Sequence, residues 1–254
     1  MVVELNVDVI PVWDDNYVFA VRLPESVWII DPADFSTVDG YLKSKDLTPT
    51  TILNTHHHFD HVGGNEDFKK AYDLEIWANV NDKARIPGHT KAVTPGQSYL
   101  LDGVNIEVID VPGHTIGHIA YFLPDHKILF AGDTLFSLGC GRLFEGTPAQ
   151  MLSSLSLLKS LPSETMVYAA HEYTLANGKF AETVEPENQD LRLYLQQCQD
   201  MRALGQPTIP FNLGHQELCN PFLRTSVDRV QEFAGPLHCE IQVFGAIRRA
   251  KDSF

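Results

Sequence analysis

The chain has 254 residues, 44% of them hydrophobic, which is typical of a folded protein with a substantial core. Its formal net charge of −14 argues against nucleic acid or an anionic membrane as the main partner. The four cysteines form no CxxC pair and are too scattered for a disulfide framework, so we expect a reducing, cytoplasmic environment. We expect no secretory signal, transit peptide or membrane span.

Apolar runs and alternating patterns predict strands throughout the first two-thirds of the chain. The predicted strands cover residues 3–9, 17–23, 27–30, 51–54, 75–78, 104–111, 118–123, 127–131 and 166–170. Helices are predicted over 36–45, with Ser36 as the N-cap, over 65–71, and after the Thr147-Pro148 start. Residues 87–96 are rich in proline and glycine and predict a connector.

The residue composition changes after His171. Residues 174–205 favour helix, and residues 206–254 remain mostly helical in composition. Strands interleaved with a few helices predict an α/β sandwich for the first part, with sheets in the middle and helices outside. We therefore predict a sandwich domain over residues 1–171 and a smaller α-helical domain over residues 172–254.

The segment Thr55-His56-His57-His58-Phe59-Asp60-His61 follows the predicted strand at 51–54. Residues two apart point the same way in extended chain, so His56 and His58 can hold one ion, with His57 as a spacer. Asp60 and His61 come one step later and can reach a second ion. Imidazole and carboxylate ligands suit zinc, iron or manganese and do not suit Cu(I).

Three more candidate ligands each follow a predicted strand, where functional residues collect in α/β proteins. They are His114, Asp133 and His171. Taken singly, each residue fits a structural role. His118 opens the next strand after His114. For this residue we expect a structural role, hydrogen-bonded to the loop, at least as readily as a role as a metal ligand.

Together with the first cluster, these residues complete a two-ion set. One ion would receive His56, His58 and His114, the other would receive Asp60, His61 and His171, and Asp133 would bridge them. Two ions about 3.5–4 Å apart would share a water that ionises near neutral pH and becomes the nucleophile.

The order T-H-x-H-x-D-H, G-H-T, G-D-T and a strand-end His resembles the metallo-β-lactamase superfamily. Within it, the chain closely resembles the glyoxalase II, or hydroxyacylglutathione hydrolase, family nearly end to end. Three further stretches carry that closer resemblance: residues 139–147, 171–174 and 248–254. The resemblance implies an αββα sandwich of the metallo-β-lactamase fold followed by a helical domain, and the same seven metal ligands.

The resemblance also implies which residues hold glutathione. They are Arg142, Phe144, Tyr173, Arg248 and Lys251. Some relatives have Lys and Tyr where this chain has Arg142 and Phe144, and Phe144 lacks the hydroxyl that makes a hydrogen bond to glutathione in those relatives. Independently, Arg248, Arg249 and Lys251 concentrate positive charge in an acidic chain, and Arg suits carboxylate binding.

The implied activity is hydrolysis of S-(2-hydroxyacyl)glutathione, chiefly S-D-lactoylglutathione, to glutathione and D-lactate, the second step of methylglyoxal detoxification. Asp60 would orient the bridging hydroxide while binding metal, and the thiolate would leave without a catalytic acid. We expect two divalent ions per chain, zinc first and iron or manganese as alternatives, in a monomer. The alternatives are a persulfide dioxygenase with a single iron and a non-catalytic binding module.

The remaining histidines are predicted not to bind metal, namely His57, His89, His126, His215 and His238. Cys140 is predicted to pack in the core and not to act as a nucleophile. Asp31 and Thr55 are candidates for fixing the imidazole tautomers, with a purely structural role as the alternative.

Overall fold

The computed structural model describes residues 2–237 and 239–254, so the prediction for His238 lies outside the described residues. The chain forms two compact units. The first runs to Asp110 and resumes over Gly117–Gly132; the second comprises Val111–Ile116 and Asp133–Phe254. These units do not test the domain boundary predicted at residues 171 and 172, which stays a prediction. No helix among the described residues is long and apolar enough to cross a membrane.

The first unit contains a six-stranded sheet in chain order. Its strands are β1 (Asn6–Val12), β2 (Asn16–Arg22), β3 (Val27–Ile30), β4 (Thr51–Leu53), β5 (Glu75–Asn79) and β6 (Lys91–Val93). The first three strands pair antiparallel, whereas β3 to β6 are parallel. The carboxyl ends of β3, β4 and β5 therefore lie at one edge of the sheet, and the segments that follow these strands meet there.

A second group of strands in the first unit is wholly antiparallel. It consists of β7 (Ser98–Leu101), β8 (Val104–Asp110), β9 (Ile119–Leu123) and β10 (Ile128–Gly132). The two sheets pack on each other, because the rings of Phe19 and Phe130 lie 5.8 Å apart and the Tyr121 hydroxyl donates to the Asn54 carbonyl oxygen at 2.9 Å.

Three helices complete the first unit: α1 (Phe35–Ser44), α2 (Phe59–Val62) and α3 (Asn65–Ala71). The apolar face of α1, with Val38 and Leu42, packs with Phe68 of α3 on a core of sheet residues that includes Ile29 and Ile52. Burial of such side chains stabilises each by about 1.5–3 kcal/mol. The predicted helix at 65–71 is confirmed.

The predicted N-cap of α1 was wrong. The helix begins at Phe35, and its cap is Asp34, whose carboxylate accepts a hydrogen bond from the Thr37 backbone N at 2.7 Å. Asp and Ser are both good caps, so the composition alone could not choose between Asp34 and Ser36.

Two strand predictions also need correction. The first strand begins at Asn6 and buries Ile10 and Val12, because its register is set by pairing with β2 and not by the alternation from Val3 to Val9. The segment at 87–96, predicted as a connector, contains β6, whose parallel pairing with β5 has no local signal.

The second unit is mainly helical. Its strands are β11 (Leu135–Phe136) with β12 (Gly139–Cys140), and β13 (Met166–Ala169) with β14 (Phe211–Asn212), each an antiparallel pair. Its helices are α4 (Pro148–Lys159), α5 (Thr174–Val184), α6 (Gln189–Ala203), α7 (Leu213–Cys219), α8 (Asp228–Ala234) and α9 (Glu240–Asp252). The helical composition predicted after residue 174 is confirmed.

Thr147 caps α4 in a capping box. Its hydroxyl accepts from the Gln150 backbone N at 3.3 Å, and the Gln150 side chain accepts from the Thr147 backbone N at 2.9 Å. We expect Thr147→Ala to lower the free energy of unfolding by about 1 kcal/mol, because one helix N–H loses its partner. Chemical denaturation measures the change. Ser153→Ala, at an exposed position within α4, is the control, and equal stability of the two variants would contradict the assignment.

Candidate functional site

The histidine-rich segment predicted to bind metal, residues 55–61 and called the metal loop from here on, leaves the carboxyl end of β4 and enters α2. His56 is fully buried, and His58 is extended, with φ −61° and ψ 147° at the N-cap of α2. The Nε2 atom of His56 lies 3.0 Å from the Nδ1 atom of His58. The structure thus brings these two predicted ligands together.

Asp60 and His61 form the second half of the metal loop. The His61 Nε2 atom lies 3.7 Å from Asp60 Oδ2, and its ring centroid lies 4.0 Å from that of His56. The Asn16 amide donates to the Asp60 backbone carbonyl at 3.3 Å and approaches its Oδ2 atom at 3.5 Å. Asn16, the first residue of β2, therefore helps to hold Asp60 in place.

Asp31, at the end of β3, organises this loop. One carboxylate oxygen accepts from the Thr55 backbone N at 2.7 Å, and the other accepts from the Thr55 hydroxyl at 2.6 Å and lies 3.0 Å from His61 Nδ1. A carboxylate can only accept when ionised, so His61 carries its proton on Nδ1 and directs the Nε2 lone pair toward a ligand position.

His118 lies beside the metal loop in the first unit. It is fully buried, and its ring stacks on that of His56 at 4.5 Å with an interplanar angle of 21°. Gly132, at φ 49°, passes so close that a Cβ there would lie 2.5 Å from Thr55 Oγ1 and 2.8 Å from His118 Nε2. Glycine is needed here for both conformation and space.

The second unit brings His114, Asp133 and His171 together. One Asp133 oxygen lies 3.4 Å from His114 Nε2, and its other oxygen lies 3.4 Å from His171 Nε2. The His114 Nδ1 atom is 2.9 Å from the Arg142 carbonyl oxygen, which can only accept, so Nδ1 carries the proton and Nε2 is available as a ligand. Asp133 therefore presents its two oxygens to two different imidazoles.

These distances suit metal ligands. An ion bound tetrahedrally at about 2.0–2.1 Å separates neighbouring ligand atoms by about 3.3 Å. The separations within each unit, between 3.0 and 3.7 Å, lie close to that value. Clustered His and Asp side chains of this kind suit divalent metals.

Three of the histidines predicted not to bind metal make other contacts. His57 contacts Asp82, His126 Nε2 lies 2.7 Å from the Val3 carbonyl oxygen, and His215 packs edge-on against Tyr194. Burial raises the pKa of Cys140 to about 11, so its thiol is protonated at neutral pH and a poor nucleophile.

The residues predicted to hold glutathione all belong to the second unit. The ring of Tyr173 stacks on His171 at 4.8 Å with an interplanar angle of 1°, and Phe144 packs edge-on against His114 at 5.1 Å. Phe144 is 63% exposed. Arg142 is largely exposed as well, with its Nε atom 3.7 Å from Asp252.

Arg248 has a different environment from Arg142. It is buried, its guanidinium donates to the Cys140 carbonyl oxygen at 2.7 Å and to Asp252 at 2.9 Å, and it lies over the Phe222 ring. Lys251 donates to the Ala176 carbonyl oxygen at 3.4 Å.

Some organising residues were missed at the sequence level. Glu172 accepts from the backbone N and the hydroxyl of Thr208 at 2.8 and 2.6 Å, and thereby holds the segment between His171 and Tyr173. Asp252 links Arg142 to Arg248. The available signal for Glu172 was its position next to the predicted ligand His171. The available signal for Asp252 was its position among basic residues.

Two family models match the chain. The model described as the metallo-beta-lactamase superfamily matches residues 11–171, and the model described as the hydroxyacylglutathione hydrolase C-terminus matches residues 172–254.

Curated relatives match over nearly their full length. The chain is 43% identical to the hydroxyacylglutathione hydrolase of Maricaulis maris, over 99% of each chain. It is 44% identical to that of Synechococcus sp., over 98% of this chain and 100% of the relative.

Solved structures share the fold. BLEG-1, a B3 metallo-beta-lactamase, has a TM-score of 0.65 and 22% identity, and covers 86% of this chain and 99% of its own. ETHE1 from Myxococcus xanthus has a TM-score of 0.64 and 22% identity, and covers 100% and 99%. TTHA1623, solved in a di-iron-bound form, has a TM-score of 0.57 and 29% identity, and covers 64% and 90%.

Proposed function

The chain belongs to the hydroxyacylglutathione hydrolases of the metallo-β-lactamase superfamily, and on that premise we propose that it hydrolyses S-(2-hydroxyacyl)glutathione, chiefly S-D-lactoylglutathione, to glutathione and D-lactate. The match of residues 172–254 to the hydroxyacylglutathione hydrolase C-terminus carries this proposal, and it favours the hydrolase over a persulfide dioxygenase.

The seven predicted ligands would hold two divalent ions. His56, His58 and His114 would bind one ion, Asp60, His61 and His171 the other, and Asp133 would bridge both. The two oxygens of Asp133, each 3.4 Å from a different imidazole, support the bridging role. The di-iron form of TTHA1623 supports two ions. Zinc is expected, with iron or manganese as alternatives, because His and Asp ligands accept all three.

When bound, the ions would polarise the thioester carbonyl and lower the pKa of a shared water. Asp60, partly exposed and steadied by Asn16, would orient that water toward the carbonyl carbon. Asp31 and the Arg142 carbonyl oxygen would hold His61 and His114 in the tautomers that ligation requires. A thiol pKa of about 8.5 lets the glutathione thiolate leave without a catalytic acid.

Glutathione would be held by Arg142, Phe144, Tyr173, Arg248 and Lys251. The cations are close enough that the charges of Arg248 and Arg142 act on the pKa of Lys251. Positive charge is thus concentrated locally in a chain of net charge −14, which suits an anionic substrate. Phe144 offers a ring face and no hydroxyl, so it would contribute apolar contact alone.

Steady-state hydrolysis of S-D-lactoylglutathione by zinc-loaded protein tests the proposal. We expect turnover far above buffer, with no oxygen uptake when glutathione persulfide is supplied. Turnover equal to buffer would overturn the assignment, and oxygen consumption with one iron per chain would favour the dioxygenase.

We further propose a cytoplasmic monomer. The cysteines Cys140, Cys198, Cys219 and Cys239 are all free thiols, which supports a reducing compartment. Sedimentation equilibrium tests the monomer, since a mass of twice 28.4 kDa would contradict it.

Substrate affinity should weaken at alkaline pH through Lys251. Burial lowers the pKa of Lys251 from its ordinary value of 10.5, and the neighbouring arginines act in the same direction. Lys251 therefore loses its proton at a lower pH than an exposed lysine, and the cation that would bind the glutathione carboxylate is lost as pH rises. We expect KM to rise by roughly tenfold as the pH rises through the pKa of Lys251, because the loss of one charge-assisted hydrogen bond changes binding by about that factor.

Initial-rate kinetics at several alkaline pH values measure this effect. Lys251→Arg should keep KM flat over the same range, because arginine stays charged. Lys179→Arg, at an exposed position on α5, should leave the wild-type profile unchanged. Identical profiles for Lys251→Arg and the wild type would show that Lys251 does not bind substrate.

A further inference from the structure

His57 lies between two proposed metal ligands and has its own set of contacts. Its Nδ1 atom is 3.2 Å from Asp82 Oδ2, and its Nε2 atom is 3.2 Å from a terminal nitrogen of Arg85. The Nε atom of Arg85 donates to the other oxygen of Asp82. Imidazole, carboxylate and guanidinium thus close a ring of hydrogen bonds, called the brace from here on.

The tautomer of His57 follows from its partners. A guanidinium can only donate, so His57 Nε2 must accept, and the proton must lie on Nδ1, from which it is donated to Asp82. Both ring nitrogens of His57 are therefore engaged within the brace. An imidazole whose lone pair is taken by a guanidinium cannot bind a metal, which separates His57 from its neighbours His56 and His58.

Asp82 is the centre of the brace and is only 3% exposed. It follows β5, and Arg85 ends the 3₁₀ turn Lys83–Arg85. A buried carboxylate is stable only when its oxygens are hydrogen-bonded, and here one oxygen serves His57 and the other serves Arg85. The segment after β5 therefore holds the middle of the metal loop from the neighbouring strand.

The same segment supports the metal loop by a second route. Gly117 packs so tightly on Asp82 that a Cβ would overlap its side chain, and the Asn79 amide donates to the Gly117 carbonyl oxygen at 2.9 Å. The next residue, His118, stacks on His56 at 4.5 Å.

We propose that Asp82 and Arg85 are positioning residues for the metal centre: through His57 they set which histidines of the metal loop face the ions. This inference rests on the proposed function, because it requires His56 and His58 to be ligands. Loss of a residue that orients a metal ligand typically costs 10–100-fold in metal affinity or activity. Since the brace acts through a residue beside the ligands, we expect the lower part of that range.

The test uses the full-length, zinc-loaded protein and measures zinc release to a chelating dye. We expect Asp82→Asn to speed release by roughly tenfold, because the amide cannot accept from both His57 and Arg85. The visible spectrum of the cobalt-substituted variant should shift, since ligand geometry changes. Asp67→Asn is the matched control, because Asp67 also pairs with a cation three residues on, Lys70, but at an exposed site.

A double-mutant cycle separates positioning from general destabilisation. If Asp82 acts through His57, Asp82→Asn should add little to zinc release in a His57→Gln background. Additive effects would overturn the proposal, because they would mean that Asp82 acts independently of His57. Arg85→Gln, at a partly exposed side chain, gives the same test should Asp82→Asn fail to fold, and should speed release severalfold.

The outcomes also separate this inference from the proposed function. Wild-type protein that retains zinc, together with release rates for Asp82→Asn and Arg85→Gln equal to that of Asp67→Asn, would overturn the positioning role and leave the hydrolase proposal standing. Wild-type protein that binds neither zinc nor iron nor manganese would overturn both.

Discussion

Replacing Asp133 with asparagine should reduce hydrolysis of S-D-lactoylglutathione by on the order of 10³-fold, the scale seen when charge stabilisation at a reacting centre is lost. One carboxylate here faces both His114 Nε2 and His171 Nε2. Asparagine keeps the shape but has one neutral oxygen, so it can serve one ion and not two. The variant should therefore retain one ion per chain or fewer, as measured by elemental analysis beside steady-state kinetics.

Asp110→Asn is the matched control, because Asp110 also ends a strand but is exposed and is not a predicted ligand. It should keep both ions and the wild-type rate. An Asp133→Asn protein with two ions and unchanged kcat would show that Asp133 does not bridge the metals.

Replacing Arg248 with alanine should raise KM for the thioester by roughly 10–100-fold, the value of a hydrogen bond between charged groups. The structure adds a second consequence, because the guanidinium also donates to the buried Cys140 carbonyl oxygen and pairs with Asp252. Loss of that donor leaves a buried acceptor unsatisfied and should lower the free energy of unfolding by about 1–3 kcal/mol. Michaelis kinetics and chemical denaturation measure the two effects.

Two further variants separate these effects. Arg249→Ala changes the exposed neighbour of Arg248 on α9 and should leave both KM and stability near the wild-type values. Arg248→Lys keeps the charge but loses the two-pronged contact with Cys140 and Asp252, so it should recover part of KM and little stability. A KM for Arg248→Ala equal to that of Arg249→Ala would exclude a role for Arg248 in substrate binding.

Features determined by neighbouring residues could be predicted from the sequence. The alternation of His56, His57 and His58 is a property of extended chain, and the structure shows the expected result, with His56 facing His58 and His57 turned to Asp82. The strands that precede Asp133 and His171 were found because apolar runs end just before these residues. The family and the metallo-β-lactamase fold were expected from the resemblance of these motifs to known proteins, and the comparisons confirm both.

Features that depend on distant contacts could not be predicted. Asp82 lies 25 residues from His57 in sequence, and nothing in its local surroundings indicates that contact. The strand β7 was missed because it buries little: Leu100 is 75% exposed, and only pairing with β8 defines the strand. The burial of Arg248 was likewise hidden, because a run of basic residues predicts a solvated surface as readily as a guanidinium enclosed by Cys140, Phe222 and Asp252.

The central claim is that two ions act together in one thioester hydrolase. Titrating metal-free protein with zinc while measuring hydrolysis of S-D-lactoylglutathione tests it most directly. Activity should reach its plateau at two equivalents of zinc per chain, with little activity at one equivalent when the ions bind in sequence. Full activity at one equivalent, or hydrolysis without any metal, would contradict it.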